Sequence, residues 1–147
     1  ASLMFQDPSL QFALDTPRHE VEFALENLAL PANQIPAKVE QALKFCQADH
    51  LADRRLVTLS GGEQQLVALA ITVAMDSQLI LLDEPFAGLD SKSIEVVWEL
   101  IDASRQVWPQ TLIIISHQLA GLANHIDYRL HLADHHLTYQ GEVHHES

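Results

Sequence analysis

The run Leu79-Ile-Leu-Leu-Asp-Glu-Pro-Phe-Ala-Gly-Leu-Asp90 constrains the fold of this chain more than any other stretch. Four consecutive apolar residues, Leu79 to Leu82, are too short for a buried helix and predict a parallel strand covered on both faces. Asp83 and Glu84 follow directly, and Pro85 cannot continue a ladder, so both carboxylates fall at the carboxyl end of that strand. Open α/β sheets bind ligands at this edge. One carboxylate holding Mg²⁺ and the next polarising a water would supply the parts for nucleotide hydrolysis. Taken alone, the same residues also suit a strand that ends in a polar turn.

The surrounding chain repeats the theme. Leu3-Met4-Phe5 and then Gln6-Asp7-Pro8 again give a short apolar strand, polar residues and a proline, with Gln6 at the strand end and able to reach a metal ion or its water; a simple turn fits the same residues. A strand this close to Ala1 suggests sequence upstream of it. From Thr16 the period becomes helical. Thr16 can cap, Pro17 suits the first turn, and Val21, Ala24, Leu25 and Leu28 share a face. A second helix from about Pro36 places Val39, Ala42, Leu43 and Cys46 together, and 47–55 reads as a polar loop. His19 and His50 are expected at the surface. These roughly 45 residues are long enough to form a small helical subdomain.

Leu59-Ser60-Gly61-Gly62-Glu63 opens the next helix. Ser60 and Glu63 form an S-x-x-E capping box, and Leu66, Leu69, Ala70 and Val73 form the expected apolar face. Capping does not account for Gly61-Gly62, which cost about 1 kcal/mol each relative to alanine. Glycines there bare backbone N–H groups at the positive end of a helix, where a phosphate would be the natural guest.

Beyond the acidic strand, Ala87 to Asp90 predicts a turn, with Ser91 as cap of a helix bearing Ile94, Val97, Trp98 and Ile101 on one face and ending before Pro109. Trp98 is assigned to the core and Trp108 to a partly exposed position. Leu112 to Ile115 predicts a further buried strand, closed by Ser116-His117. Gln6, Asp83-Glu84 and His117 would then meet at one sheet edge, where His117 could sense a terminal phosphate. Tyr128–Leu132 and Leu137–Tyr139 flank 133–136 as a hairpin. Of the histidines His131, His135, His136, His144 and His145, adjacent pairs would point to opposite strand faces, so a solvated hairpin and tail is preferred to a zinc site.

Composition narrows the partners. The 147 residues carry 8 Lys and Arg against 20 Asp and Glu, a formal net charge of −12, which disfavours nucleic acid. The single cysteine, Cys46, excludes an internal disulfide and suits a reducing compartment. No window approaches the roughly 18 apolar residues of a spanning helix, so membrane association would be peripheral.

In order along the chain, these motifs resemble the ATP-binding subunit of an ABC transporter. Phe5-Gln6-Asp7-Pro8 resembles the Q-loop and Leu59 to Glu63 the signature. Leu79 to Glu84 is similar to the Walker B strand with its following glutamate, Ala87 to Asp90 to the D-loop, and His117 to the H-switch. The segments Phe5 to Phe12 and Glu20 to Asn27 are similar to the energy-coupling-factor branch, which energises uptake of vitamins or metal ions. The resemblance implies an α/β fold: the C-terminal part of a P-loop NTPase (RecA-like) core, with the ABC helical subdomain and a C-terminal β-hairpin. Its expected divisions are 1–12 (core strand and Q-loop), 13–75 (helical subdomain with signature) and 76–147 (C-terminal part of the nucleotide-binding core). It further implies ATP and Mg²⁺ as cofactors, with Asp83 and Gln6 toward the metal and Glu84 and His117 as catalytic groups. Ser60, Gly61, Gly62, Glu63 and Asp90 would act on nucleotide held by a second ATPase subunit in a head-to-tail dimer. A membrane-spanning subunit would dock on the helical subdomain, at the cytoplasmic face of the cell membrane.

Three departures qualify the resemblance. Glu63 stands where Gln is usual, adding negative charge beside a phosphate site, and Leu66 stands where a basic residue is usual. The G-x-x-x-x-G-K-[ST] loop that grips phosphates is not in the sequence; in the family it precedes the Q-loop, so it would lie upstream of Ala1, and the chain alone is expected neither to bind ATP tightly nor to hydrolyse it. A signature-bearing regulatory or degenerate module is one alternative. A DNA-repair-type ABC ATPase is another, disfavoured by the acidic charge and because only 52 residues separate Gln6 from Leu59, where that class places a long coiled coil.

Overall fold

Three helices form the first layer. In the computed structural model, which describes residues 2–4, 12–108, 110–117 and 124–142, helix α1 (Pro17–Asn27) starts at Thr16, whose side chain accepts the His19 N–H, with Pro17 in the first turn. It buries Val21 and Leu25 against α2 (Ile35–Phe45), which contributes Val39, Ala42 and Leu43. His19 and His50 are exposed. The segment expected as a polar loop instead folds inward at Ala48, Leu51 and Ala52, through a 3₁₀ turn over Asp49–Leu51. Cys46 is fully buried beside them, and that burial pushes its thiol up to about 12.

Helix α3 (Gly61–Ala74) is the pivot of the fold. Every residue from Val67 to Ala74 is buried, so the expected single apolar face is in fact apolar all round. The reason is its position: α3 packs on α1 and α2 and also touches strand β1 (Ser2–Met4) and helix α4 (Ser91–Val107). Thr72, the polar member of this buried stretch, is satisfied by donating its hydroxyl to Ala68 O at 3.0 Å.

Beside it lies a three-stranded parallel sheet, ordered β1-β2-β3, with β2 (Leu79–Asp83) central and β3 (Thr111–Ile115) at one edge. The register pairs Leu3 with Leu81 and Leu81 with Ile113. Parallel β-α-β connectivity through α3 and α4 is the α/β arrangement expected. Burial of the sheet is one-sided, which corrects the expectation of strands covered on both faces. Ile80 and Leu82 are buried, but Leu79 is 39% exposed and Ile113 and Ile115 are 46% and 49% exposed. Register explains the pattern: paired residues of parallel strands share a face, and Leu79, Leu81 and Asp83 lie with Thr111, Ile113 and Ile115 on the less covered one.

Helix α4 places Val97, Trp98 and Ile101 in the core, as its period predicts; Leu100, outside the predicted stripe, is buried as well, and Ile94 is half-buried. Its cap is Asp90 rather than Ser91: the Asp90 carboxylate accepts the Ser93 N–H at 2.8 Å, and Ser91 is the first helical residue. The aspartate reaches because it holds extended backbone, which a residue already in the helix cannot adopt. Trp108, half-buried, meets Phe45 edge-on with ring centroids 5.5 Å apart.

The chain divides after Ser116 into two units, Ala1–Ser116 and His117–Ser147. In the second, β4 (Tyr128–Ala133) and β5 (His136–Glu142) form an antiparallel hairpin. Its two turn residues, Asp134 and His135, both take positive φ (48° and 61°), the left-handed pair that matches strand twist. Gln6, with the rest of Phe5 to Pro8, and His144 and His145 lie outside the described residues. No helix among the described residues is long and apolar enough to cross a membrane.

Candidate functional site

The carboxyl edge of β2 is built by backbone before any side chain acts. Asp83 closes the strand opposite Ile115, and Glu84 then turns out of it with φ 46°, a left-handed conformation uncommon for a non-glycine residue. Two bonds hold it there. The Glu84 N–H donates to Ile115 O at 2.8 Å, and its carboxylate oxygen Oε2 accepts the Ser116 hydroxyl at 3.1 Å. Behind it Pro85 is buried, and Phe86 lies against Trp98 with ring centroids 4.8 Å apart. The two carboxylates are half-buried and adjacent, with their backbone anchored to β3. Hard oxygen donors in this arrangement suit Mg²⁺. Ser116 emerges here as a partner of Glu84; in the sequence its position at a strand end was visible, but not its contact.

A second cluster forms where the first turns of α3 and α4 meet. The capping box is complete: Ser60 Oγ accepts the Glu63 N–H at 3.3 Å, and Glu63 Oε2 accepts the Ser60 N–H at 2.7 Å. The Ser60 N–H, joined by the nearby Arg54 guanidinium, holds the Glu63 carboxyl below the usual carboxylate range. Gly61 has open space where a side chain would stand, whereas a Cβ on Gly62 would come within 3.0 Å of Ser93 Oγ. Gly62 therefore permits the close approach of the two helix starts, and Gly61 leaves open the space a side chain would fill. Across the contact, the Ser93 N–H holds the Asp90 carboxyl below its ordinary range.

Arg54 was not singled out in the sequence, since nothing local marks it. Its Nη1 donates to Glu63 Oε1 at 3.1 Å and its Nη2 to Thr58 O at 3.5 Å, tying the loop before α3 to the helix start. The structure thus brings Ser60, Gly61, Gly62 and Glu63 together with the Asp90 end of α4, and sets Asp83 beside Glu84. His117 follows Ser116 in the chain and opens the second unit. Among the described residues no group of three His, Cys, Asp or Glu could hold a metal ion, and His131, His135 and His136 form no such group.

Comparison with known proteins agrees with this architecture. Residues 2–87 match the family model described as ABC transporter. The Bacillus subtilis protein YkoD, named for HMP/thiamine import, is 39% identical over 119 residues, covering 81% of this chain and 22% of that protein. The energy-coupling factor transporter ATP-binding protein EcfA1 of Streptococcus thermophilus is 35% identical over 121 residues, covering 82% of this chain and 44% of the relative. Among solved structures, cbiO1 from Clostridium perfringens, described as part of the ABC transporter complex cbiONQ, superimposes with a TM-score of 0.87 at 29% identity. That match covers 96% of this chain and 56% of the other, so the chain spans between about a fifth and somewhat over half of the relatives it matches. The parallel β-α-β core, its three-helix layer and the family match over residues 2–87 together establish that the chain belongs to the ABC transporter family.

Proposed function

We propose that this chain is the signature-bearing part of the ATP-binding, ATP-hydrolysing subunit of an ABC importer. The observation that carries the proposal is the Asp83-Glu84 pair at the carboxyl edge of β2, with Glu84 fixed in a left-handed conformation by Ile115 and Ser116. A carboxylate held this way is pre-organised, so it loses little freedom when it orients a water. Asp83 would face the Mg²⁺ of a bound MgATP, and Gln6 would reach the same ion from its own strand end. MgATP supplies the phosphoryl group and an ion that neutralises its charge. Glu84 would orient the attacking water and accept its proton, and His117 would contact the terminal phosphate. Ser60, Gly61, Gly62 and Glu63 would close over nucleotide held by a second ATPase subunit, with Asp90 across the same interface.

The helical layer α1–α3 would receive a membrane-spanning subunit, so that closure of the ATPase pair drives transport at the cytoplasmic face of the membrane. Relatives named for thiamine import and for the energy-coupling factor support uptake as the direction. The phosphate-gripping G-x-x-x-x-G-K-[ST] loop is not among these 147 residues, so this reading assigns hydrolysis to a polypeptide that also carries that loop.

The test is the ATPase rate of the full-length protein with its partner subunits, its Glu84→Gln variant, and the 147-residue chain alone. Loss of a general base typically costs about 10²- to 10⁴-fold in turnover, so Glu84→Gln should lose at least a hundredfold while ATP still binds. The isolated chain should show no turnover. Near-native hydrolysis by Glu84→Gln would remove the catalytic reading of this edge.

A further inference from the structure

The glutamate at position 63, in the first turn of α3, sets a physical problem. The N-terminus of α3 attracts anions because its first amides are unpaired and the helix dipole is positive there. A carboxylate at the third helical position answers that field from within, competing with any incoming phosphate. Only one of its oxygens is needed for the capping box, where Oε2 accepts the Ser60 N–H. The other, Oε1, accepts from Arg54 Nη1 at 3.1 Å, and Arg54 is further tied to Thr58 O in the same loop. Leu66 provides no charge from the helix itself, so among the described residues the cation bound to Glu63 comes from Arg54.

We propose that Arg54 is a positioning residue for the start of α3: its guanidinium holds and neutralises Glu63, leaving the Gly61 and Gly62 end of the helix receptive to the phosphates of a nucleotide. The inference rests on the reading that this helix end meets nucleotide held by a second subunit. Arg54 need not touch the phosphate. It cancels a charge that would repel it, and it keeps the Glu63 side chain turned toward Ser60. The guanidinium is half-exposed, so its loss removes little packing, and the pair by itself is of the weakly stabilising surface kind. Its functional weight lies in electrostatics near an anion, which act at longer range than the contact and weaken as salt rises.

The sign pattern of a mutant set tests this in the full-length ATPase with its partner subunits. Arg54→Ala leaves an uncompensated carboxylate and should raise the ATP concentration for half-maximal hydrolysis about three- to tenfold, with kcat changed less than about twofold. Arg54→Lys should recover part of that rise. Glu63→Gln alone should lower the half-saturating ATP, because Arg54 then adds an unbalanced positive charge. The double variant Arg54→Ala/Glu63→Gln should return to within about twofold of native. A structural role alone predicts that both single variants raise the value and that the double is worse than either. Gly61→Asp, which adds charge where the structure has open space, separates the underlying reading from this one. Native ATPase in Gly61→Asp overturns both. A crippled Gly61→Asp beside an unchanged Arg54→Ala, or an Arg54→Ala defect that Glu63→Gln does not relieve, overturns the Arg54 assignment alone.

Discussion

The helical layer and the hairpin use apolar residues in opposite ways. In α1–α3 the leucines and valines close on one another: Val21, Leu25, Val39, Leu43 and Leu51 are at most 1% exposed. In β4–β5, Tyr128, Leu130, Leu132, Leu137 and Tyr139 alternate along the two strands and are 58–69% exposed. A helix layer can complete its core locally because α1, α2 and α3 are near in sequence and each offers a stripe to the others. A two-stranded ribbon has no second layer of its own, so its apolar face stays open until another surface covers it. Strand β3 is intermediate, with Ile113 and Ile115 about half exposed. The difference separates apolar residues that hold the described structure together from apolar residues that it leaves exposed.

The largest effect should come from the closed region. Leu43→Ala removes a fully buried side chain between α2 and its neighbours and should destabilise the protein by about 2–5 kcal/mol in urea unfolding. A loss under about 1 kcal/mol would mean that the layer collapses around the cavity and is less closed than its burial implies. Glu20 gives a smaller test of the same region. Its buried carboxylate accepts the N–H groups of Ala13 and Leu14, pinning the segment that enters α1, and Glu20→Ala should cost about 1–3 kcal/mol by leaving those donors unsatisfied. Faster amide hydrogen exchange confined to 13–16 would accompany it. The smallest effect is expected in the hairpin, where Leu132→Ser should change stability by no more than about 0.5 kcal/mol. A loss above about 1 kcal/mol would show that this face is packed against another surface, which breaks the contrast.

The site was legible in the sequence wherever its chemistry is local. Asp83-Glu84-Pro85 after an apolar run had to fall at a strand end, and Ser60-Gly61-Gly62-Glu63 had to open a helix, because strand termination and capping act over a few residues. The capping box is present bond for bond. Local reasoning failed where a choice between neighbours depended on backbone shape: Ser91 and Asp90 are both good caps by composition, and only the extended conformation of Asp90 selects it. It also failed where partners are remote. Nothing near Glu84 in the chain announces Ser116, thirty-two residues later, and the nine-residue separation of Arg54 and Glu63 hides a bond that the fold of one loop creates.

By itself the sequence determined the order of elements, the polarity of their ends and the acidic, cation-poor character of the chain, all set by residue type and short-range spacing. The tertiary structure alone decided which faces are covered. Residues 67–74 of α3 read as one amphipathic stripe but are buried all round because α1, α2, β1 and α4 all come against this helix. Leu112 to Ile115 read as a buried strand but lies at the edge of a sheet with one face open. Burial depends on what comes to rest beside a residue, and that is a property of distant chain meeting in space rather than of the pattern along it.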